Sequence, residues 1–261
     1  MQYFMVDAFT DKLFSGNQAG VCVPETWPKD ATMQSIAAEN NLSETAFVVK
    51  DGAHYDLRWF TPAVEIELCG HATLATAFVL ANHVDTDVDA FEFHTLSGPL
   101  FVRRQDDLFE LNFPVRTQEK IAVTDEMRRA LGKTNTPVLS AYGGYNLMLE
   151  LADEAAVLDL VPDIEAIRRL RAYHGVIVTA AGSDCDFVSR FFAPNVGVDE
   201  DPVTGSTHTS LVPYWAARLG RDELTARQLS KRGGTLYCRN AGERVHISGH
   251  ARLYLSGTIH I

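Results

Sequence analysis

Cysteine is scarce in this chain: the 261 residues hold four, Cys22, Cys69, Cys185 and Cys238, with no C-x-x-C pair. Spacing this wide argues against a disulfide framework and fits a reduced, cytoplasmic protein. Basic residues are outnumbered, 23 Lys and Arg against 34 Asp and Glu, for a net charge of -11. That balance speaks against nucleic acid as a main partner, because phosphate binding needs a basic face. No stretch reaches the roughly 20 apolar residues of a membrane span. The N-terminal MQYFMVDAFTDKLFSGN lacks a basic n-region and reads as a strand, not as a signal peptide. Neither G-x-x-x-x-G-K-[ST] nor G-x-G-x-x-G occurs, so a triphosphate or dinucleotide ligand has no support.

What is present is ordinary globular composition, 46% hydrophobic and 22% charged, enough for one large domain or two medium ones. Periodicity predicts strands at 2–9, 19–23, 46–49, 55–61, 91–94, 100–104 and 108–113, and a helix over 30–40. The segment from His71 to Ala81 is apolar nearly all round, the mark of a helix buried on every side. The second half has a similar outline. Helices are expected at 125–131, 163–172 and 206–219, and strands near 138–142, 145–151, 175–179 and 186–192, then around 236, 245–248 and 252–255.

The halves share a phrase. Arg58-Trp59-Phe60-Thr61-Pro62-Ala63-Val64 returns 132 residues later (190 − 58) as Arg190-Phe191-Phe192-Ala193-Pro194-Asn195-Val196. Each phrase leads through an acidic loop to a glycine that opens an apolar helix, Gly70-His71 in the first half and Gly205-Ser206 in the second. The repeat predicts two similar domains facing each other, 1–116 and 117–261, with the last strand near 251–261 able to return to the first. A glycine-opened helix exposes unpaired backbone N–H groups and a partial positive charge to a closely approaching ligand. Two such ends brought together would cradle a carboxylate or a developing enolate.

Candidate catalysts follow from the loops. Cys69 and His71 stand two apart at a helix start and are not expected to face each other, so a thiol–imidazole nucleophile is disfavoured. As a metal ligand Cys69 has only His71 near it in sequence, and a small buried hydrophobe is its simpler role. A two-thiol racemase mechanism is incomplete, because the repeat sets Thr204 opposite Cys69. Glu44 lies between a helix end and an apolar strand; it is either a solvated, capping carboxylate or a partly desolvated general base. Asp201 belongs to an acidic loop whose backbone Pro202 fixes. His71 and Ser206 hold equivalent places in the repeat, and each could donate a hydrogen bond. His208 reads as structural.

Taken in order, these blocks resemble the phenazine-biosynthesis PhzF-like isomerases, a family related in fold to diaminopimelate epimerase. The resemblance covers the whole chain. It rests on Val6-Asp7-Ala8-Phe9 with Gly16-Asn17, on Leu42-Ser43-Glu44-Thr45-Ala46-Phe47, and on Arg58-Trp59-Phe60-Thr61-Pro62 leading to Cys69-Gly70-His71-Ala72-Thr73. Its most specific part is Asp201-Pro202-Val203-Thr204-Gly205-Ser206-Thr207-His208, followed by Pro213-Tyr214-Trp215. The resemblance implies an α+β fold of two pseudo-symmetric domains, each a bowl-like sheet around a central apolar helix, with the active site in the cleft between them. It also implies a homodimeric isomerase, free of cofactor and metal, that moves a proton on a small carboxylic acid. Carried over residue by residue, Glu44 takes and returns the proton, and His71, Asp201 and Ser206 hold and polarise the substrate. Gly70 and Gly205 lend backbone N–H groups, and Asn17 belongs to a substrate-binding turn. The chain departs from the family at Gln18, where proline is usual. The rival readings are a racemase with Cys69 as one base and a small-acid-binding protein without catalysis.

Overall fold

The computed structural model describes residues 1–132 and 137–261, and in them the alternating segments of the sequence become strands. Two compact units result, the first of Met1–Asn112 with Ile247–Ile261 and the second of Phe113–His246.

In the first unit β1 (Gln2–Ala8) runs antiparallel to β2 (Asn17–Val23), with Ala8 opposite Asn17. The chain passes through α1 (Asp30–Asn40) to β3 (Glu44–Asp51), which lies parallel to β2 with Glu44 opposite Ala19. A parallel neighbour requires such a crossover, and a helix supplies it. β3 turns back at Gly52, in the left-handed region at φ 59, into β4 (His54–Phe60). The two-residue β5 (Glu65–Ile66) adds to β4 antiparallel and precedes α2 (Gly70–Val79), which continues as a π turn over Leu80–Val84. Then β6 (Ala90–Thr95) pairs parallel with β4 and is followed by β7 (Gly98–Gln105) and β8 (Leu108–Pro114). The chain's last strand, Ala251–Thr258, lies against the free side of β1.

The second unit repeats this order of pairings. After β9 (Glu119–Ile121) and α3 (Asp125–Ala130), the antiparallel pair β10 (Ser140–Gly143) and β11 (Leu147–Glu150) leads through α4 (Glu154–Leu158) and α5 (Ile164–Arg169). β12 (Val176–Ala181) lies parallel to β11, and β13 (Phe187–Ala193) returns antiparallel. The short β14 (Val198–Asp201) pairs with β13 just as β5 pairs with β4. A 3₁₀ turn, Gly205–Thr207, opens into α6 (His208–Leu219). β15 (Glu223–Gln228) then joins β13 in parallel, and β16 (Gly234–Ala241) and β17 (Arg244–Gly249) complete the series.

The helix after each glycine is the buried one. Every residue of α2 except Gly70 and Phe78 is buried, packed among β1, β2, β3, β7 and the last strand, so its mostly apolar surface is satisfied on all sides. Thr73 and Thr76 bond back to carbonyls of their own helix turn. α6 carries Pro213 in its middle. Proline has no N–H for the Thr209 carbonyl one turn back, and the backbone N–H of Arg116 donates to that carbonyl at 3.2 Å instead. Among the described residues no helix is long and apolar enough to cross a membrane.

Periodicity missed β5, β9, β14, β15 and α4. β14 is Val-Asp-Glu-Asp, a composition that reads as a solvated loop, yet it is held in the ladder by Phe191 opposite Asp201 and Ala193 opposite Val198. Tertiary pairing overrides weak local preference there.

Candidate active site

The two acidic loops are built alike. Arg58 on β4 grips Glu65 with Nε and Nη2, at 2.7 and 2.8 Å. Arg190 on β13 grips Glu200 with the same two nitrogens, at 2.7 and 3.1 Å. Each guanidinium also lies over the aromatic ring two residues on, Phe60 at 5.2 Å and Phe192 at 5.0 Å. A planar fork meeting a carboxylate bidentately fixes the angle at which the loop leaves the strand. The loops then reach Cys69 and Thr204, both with extended backbone just before the helix start, and neither side chain caps the helix behind it. In both units the residue four places on bonds back to that carbonyl: Thr73 Oγ1 to Cys69 at 2.5 Å, and His208 Nδ1 to Thr204 at 2.9 Å.

In the first unit the pairing of β1, β2 and β3 brings distant residues onto the start of α2. Gly16, at φ 69, makes the turn before β2; a Cβ there would sit 2.2 Å from the Ala8 carbonyl oxygen. The turn delivers Asn17, fully buried, with its amide Nδ2 3.2 Å from His71 Nδ1. Glu44 heads β3 with its side chain 14% exposed, and its Oε2 lies 3.2 Å from His71 Nε2. The Cys69 thiol lies 3.5 Å from His71 Nδ1. That contact corrects the expectation that the two do not face each other: Cys69 has extended backbone, φ -143 and ψ 109, so the helical spacing rule does not govern its side chain.

Burial pushes the His71 imidazole down to about 4, against a hydrogen bond with the Gln18 backbone that acts the other way. His71 is therefore neutral at pH 7 in spite of the adjacent carboxylate. Nδ1 of the ring faces the Asn17 amide and the Cys69 thiol, and Nε2 faces the Glu44 carboxylate. Glu44, Cys69 and His71 also offer three possible metal donors within 4.8 Å of one another. The thiol and the carboxylate address different ring nitrogens, so the imidazole would have to turn before all three met one ion.

In the second unit Asp201 ends β14, and its Oδ2 accepts from Thr204 Oγ1 at 2.5 Å. Gln228 on β15 locks this turn: its Oε1 accepts from Thr204 N at 2.9 Å, and its Nε2 donates to the Asp201 carbonyl at 2.8 Å and to Thr204 Oγ1 at 3.2 Å. Gly205 is buried and Ser206 half-buried at the start of the 3₁₀ turn. Gln228 was not singled out from the sequence, since a lone glutamine in a strand gives no local signal. The structure thus gathers Asn17, Glu44, Gly70 and His71 in one unit, and Asp201, Gly205 and Ser206 in the other.

His208 is buried and burial pushes it, too, down to about 4. Unfolding frees both imidazoles to titrate near 6.5. The unfolded chain then binds more protons, so each buried histidine contributes stability that is present above pH 6.5 and is lost as pH falls toward 4. The full loss is about 3 kcal/mol per histidine. Urea unfolding at several pH values between 6.5 and 4.5 should show a slope about 1.4 kcal/mol per pH unit shallower in His208→Gln than in wild type. Equal slopes would mean that His208 is not held neutral.

The two units of one topology, each with a glycine-opened buried helix behind an Arg–Glu-clamped loop, make up a fold that solved structures of epimerases and racemases share. A hydroxyproline epimerase structure from Agrobacterium vitis shares the fold at a TM-score of 0.60 and 13% identity, over 98% of this chain and 91% of that one. The family model PhzC-PhzF, described as phenazine biosynthesis-like protein, matches residues 6–257. The chain belongs to that family and is an isomerase. It is 51% identical to an uncharacterized isomerase of Pseudomonas aeruginosa, over 100% of this chain and 99% of the relative. It is also similar to a PhzF-family crystal structure from Enterococcus faecalis, at a TM-score of 0.97 and 48% identity, covering 100% and 99% of the two chains.

Proposed function

We propose that this isomerase moves a proton on a small carboxylic acid, with Glu44 as the group that takes and returns it. The observation carrying this reading is the environment of the Glu44 carboxylate, mostly buried and 3.2 Å from an imidazole that burial holds neutral. Asn17 Nδ2 and the Cys69 thiol both face Nδ1 of that imidazole. The ring is occupied at Nδ1, and the Glu44 carboxylate facing Nε2 is the group placed to accept a proton. The roles of His71, Asp201 and Ser206 are to hold and polarise the substrate. The Gly70 and Gly205 backbones contribute N–H groups to the charge that develops when the C–H bond breaks. Asn17 acts through His71, holding the ring at Nδ1. Proton transfer of this kind asks for no cofactor.

The test is a panel of small cyclic and acyclic carboxylic acids incubated with the full chain and examined for an isomer of unchanged mass. Conversion of at least one acid is expected. Acids that raise the unfolding temperature yet are never converted would instead favour a binding protein that keeps the site without the chemistry.

The contact of Cys69 with His71 gives the racemase alternative a specific form, with the thiol as one base. Against it stands Thr204, which occupies the matching place in the second loop and donates its hydroxyl to Asp201. Cys69→Ala should keep turnover within about tenfold of wild type, whereas loss of a catalytic base costs about 10²–10⁴-fold. Loss on that larger scale would transfer the base role to Cys69.

A further inference from the structure

β4 and β6 carry a second cluster of titratable side chains that the isomerase site does not use. Along β4 the residues Tyr55 and Leu57 are buried, and along β6 Phe91 and Phe93 are buried. The two-residue period of a strand therefore turns His54 and Asp56, and likewise Glu92 and His94, to the opposite, partly exposed face. The parallel register sets Tyr55 beside Phe93 and Asp56 beside His94. On the other side of β4, Asp51 stands opposite His54.

The side chains converge. The His54 and His94 rings stack with centroids 3.8 Å apart and planes 20° apart. His54 Nε2 lies 3.5 Å from Asp51 Oδ2 and 3.8 Å from Asp56 Oδ1, and His94 Nε2 lies 2.8 Å from Glu92 Oε1. One donor atom from each of His54, Asp56 and His94 falls within 4.8 Å of the others.

We propose that His54, Asp56 and His94 bind a divalent transition-metal ion, with Zn²⁺ the best match, on the outer face of the first unit. Two imidazoles and a carboxylate are the donors a borderline-soft cation selects over Mg²⁺ or Ca²⁺. Tetrahedral Zn²⁺ with bonds of about 2.0–2.1 Å holds its donors about 3.3 Å apart. To bind one ion the two imidazoles must leave their stack so that their in-plane lone pairs converge, and the donors must close by on the order of an ångström, rotamer changes open to partly exposed groups. Glu92 Oε1, 2.8 Å from His94 Nε2, can accept from that ring and leave Nδ1 for the ion, the usual support for a ligating histidine, while Asp51 adds negative charge. The ion would join β4 to β6 across a parallel pairing in which only two residues on each strand are in register, so it would staple a short seam of the sheet. The site is separate from Glu44, Cys69 and His71.

The experiment is calorimetric titration of the full-length chain, free of any affinity tag, with Zn²⁺ alone. The proteins compared are wild type, His54→Ala, His94→Ala, the double variant and Cys69→Ala. Wild type and Cys69→Ala should bind Zn²⁺ with equal affinity. Each single histidine variant should bind on the order of tenfold or more weakly, and the double variant should lose this binding event. Zn²⁺ should raise the unfolding temperature of wild type and not of the double variant. Both histidines are partly exposed, so circular dichroism of the variants should match wild type. The proposal is overturned if wild type does not bind, if the double variant binds as tightly as wild type, or if Cys69→Ala alone removes the binding.

Discussion

Arg190→Ala is expected to lower the free energy of unfolding by about 3–5 kcal/mol, the cost of breaking one side of a buried ion pair. Arg58→Ala, the same change in the equivalent clamp, should cost about 1 kcal/mol. The two arginines grip their glutamates with the same nitrogens, so the difference lies in burial and in the remaining contacts. Arg190 has a side chain 11% exposed, and its Nη1 donates to the carbonyls of Val157 at 3.2 Å and Leu160 at 2.7 Å. Those carbonyls lie at and just beyond the C-terminal end of α4, where no intrahelical donor remains and a cation is favoured. Removing Arg190 strands a partly buried carboxylate and two buried carbonyls together. Arg58 instead sends Nη1 to Asp30, a carboxylate 77% exposed, which water solvates when the arginine is gone. Arg190→Lys should recover less than half of the loss, since an ammonium cannot make the bidentate contact. Chemical denaturation of the three variants checks this, and equal costs for the two alanine changes would show that the buried carbonyls contribute nothing.

The second large effect concerns turnover. Glu44→Gln should lower kcat on any acid the protein isomerises by about 10²–10⁴-fold, the range for loss of a general acid or base. Stability should change by less than about 1 kcal/mol. The substitution keeps the shape of the side chain and can leave an oxygen facing His71 Nε2. What it removes is the lone pair that accepts a proton. A kinetic loss with unchanged unfolding separates a proton carrier from a structural carboxylate. A comparable loss in both would return Glu44 to a packing role.

Much of this was legible in the sequence, and the reasons differ from feature to feature. α2 could be read because a segment apolar nearly all round, broken only by His71, Thr73 and Thr76, points to a buried helix. The internal repeat could be read because Arg-aromatic-Phe-x-Pro is distinctive, and the structure gives that phrase a cause in two guanidinium clamps. Their partners Glu65 and Glu200 were hidden among loop carboxylates, although both lie at the 135-residue offset (200 − 65) that also relates Gly70 to Gly205. The Cys69–His71 contact was misread because the backbone of Cys69 lies outside the helix, a fact of conformation and not of spacing. Asn17 reaches His71 across 54 residues, and Gln228 reaches Thr204 across 24. Such contacts depend on strand pairings that no local pattern encodes.

The central claim is that Glu44 carries the migrating proton. It is tested most directly by running the isomerisation in heavy water and following deuterium by mass spectrometry, with wild type and Glu44→Gln at equal concentration. Wild type should place one deuterium on the carbon that gains the proton, and Glu44→Gln should place none on the same timescale. Equal uptake of deuterium by the two proteins would contradict the account.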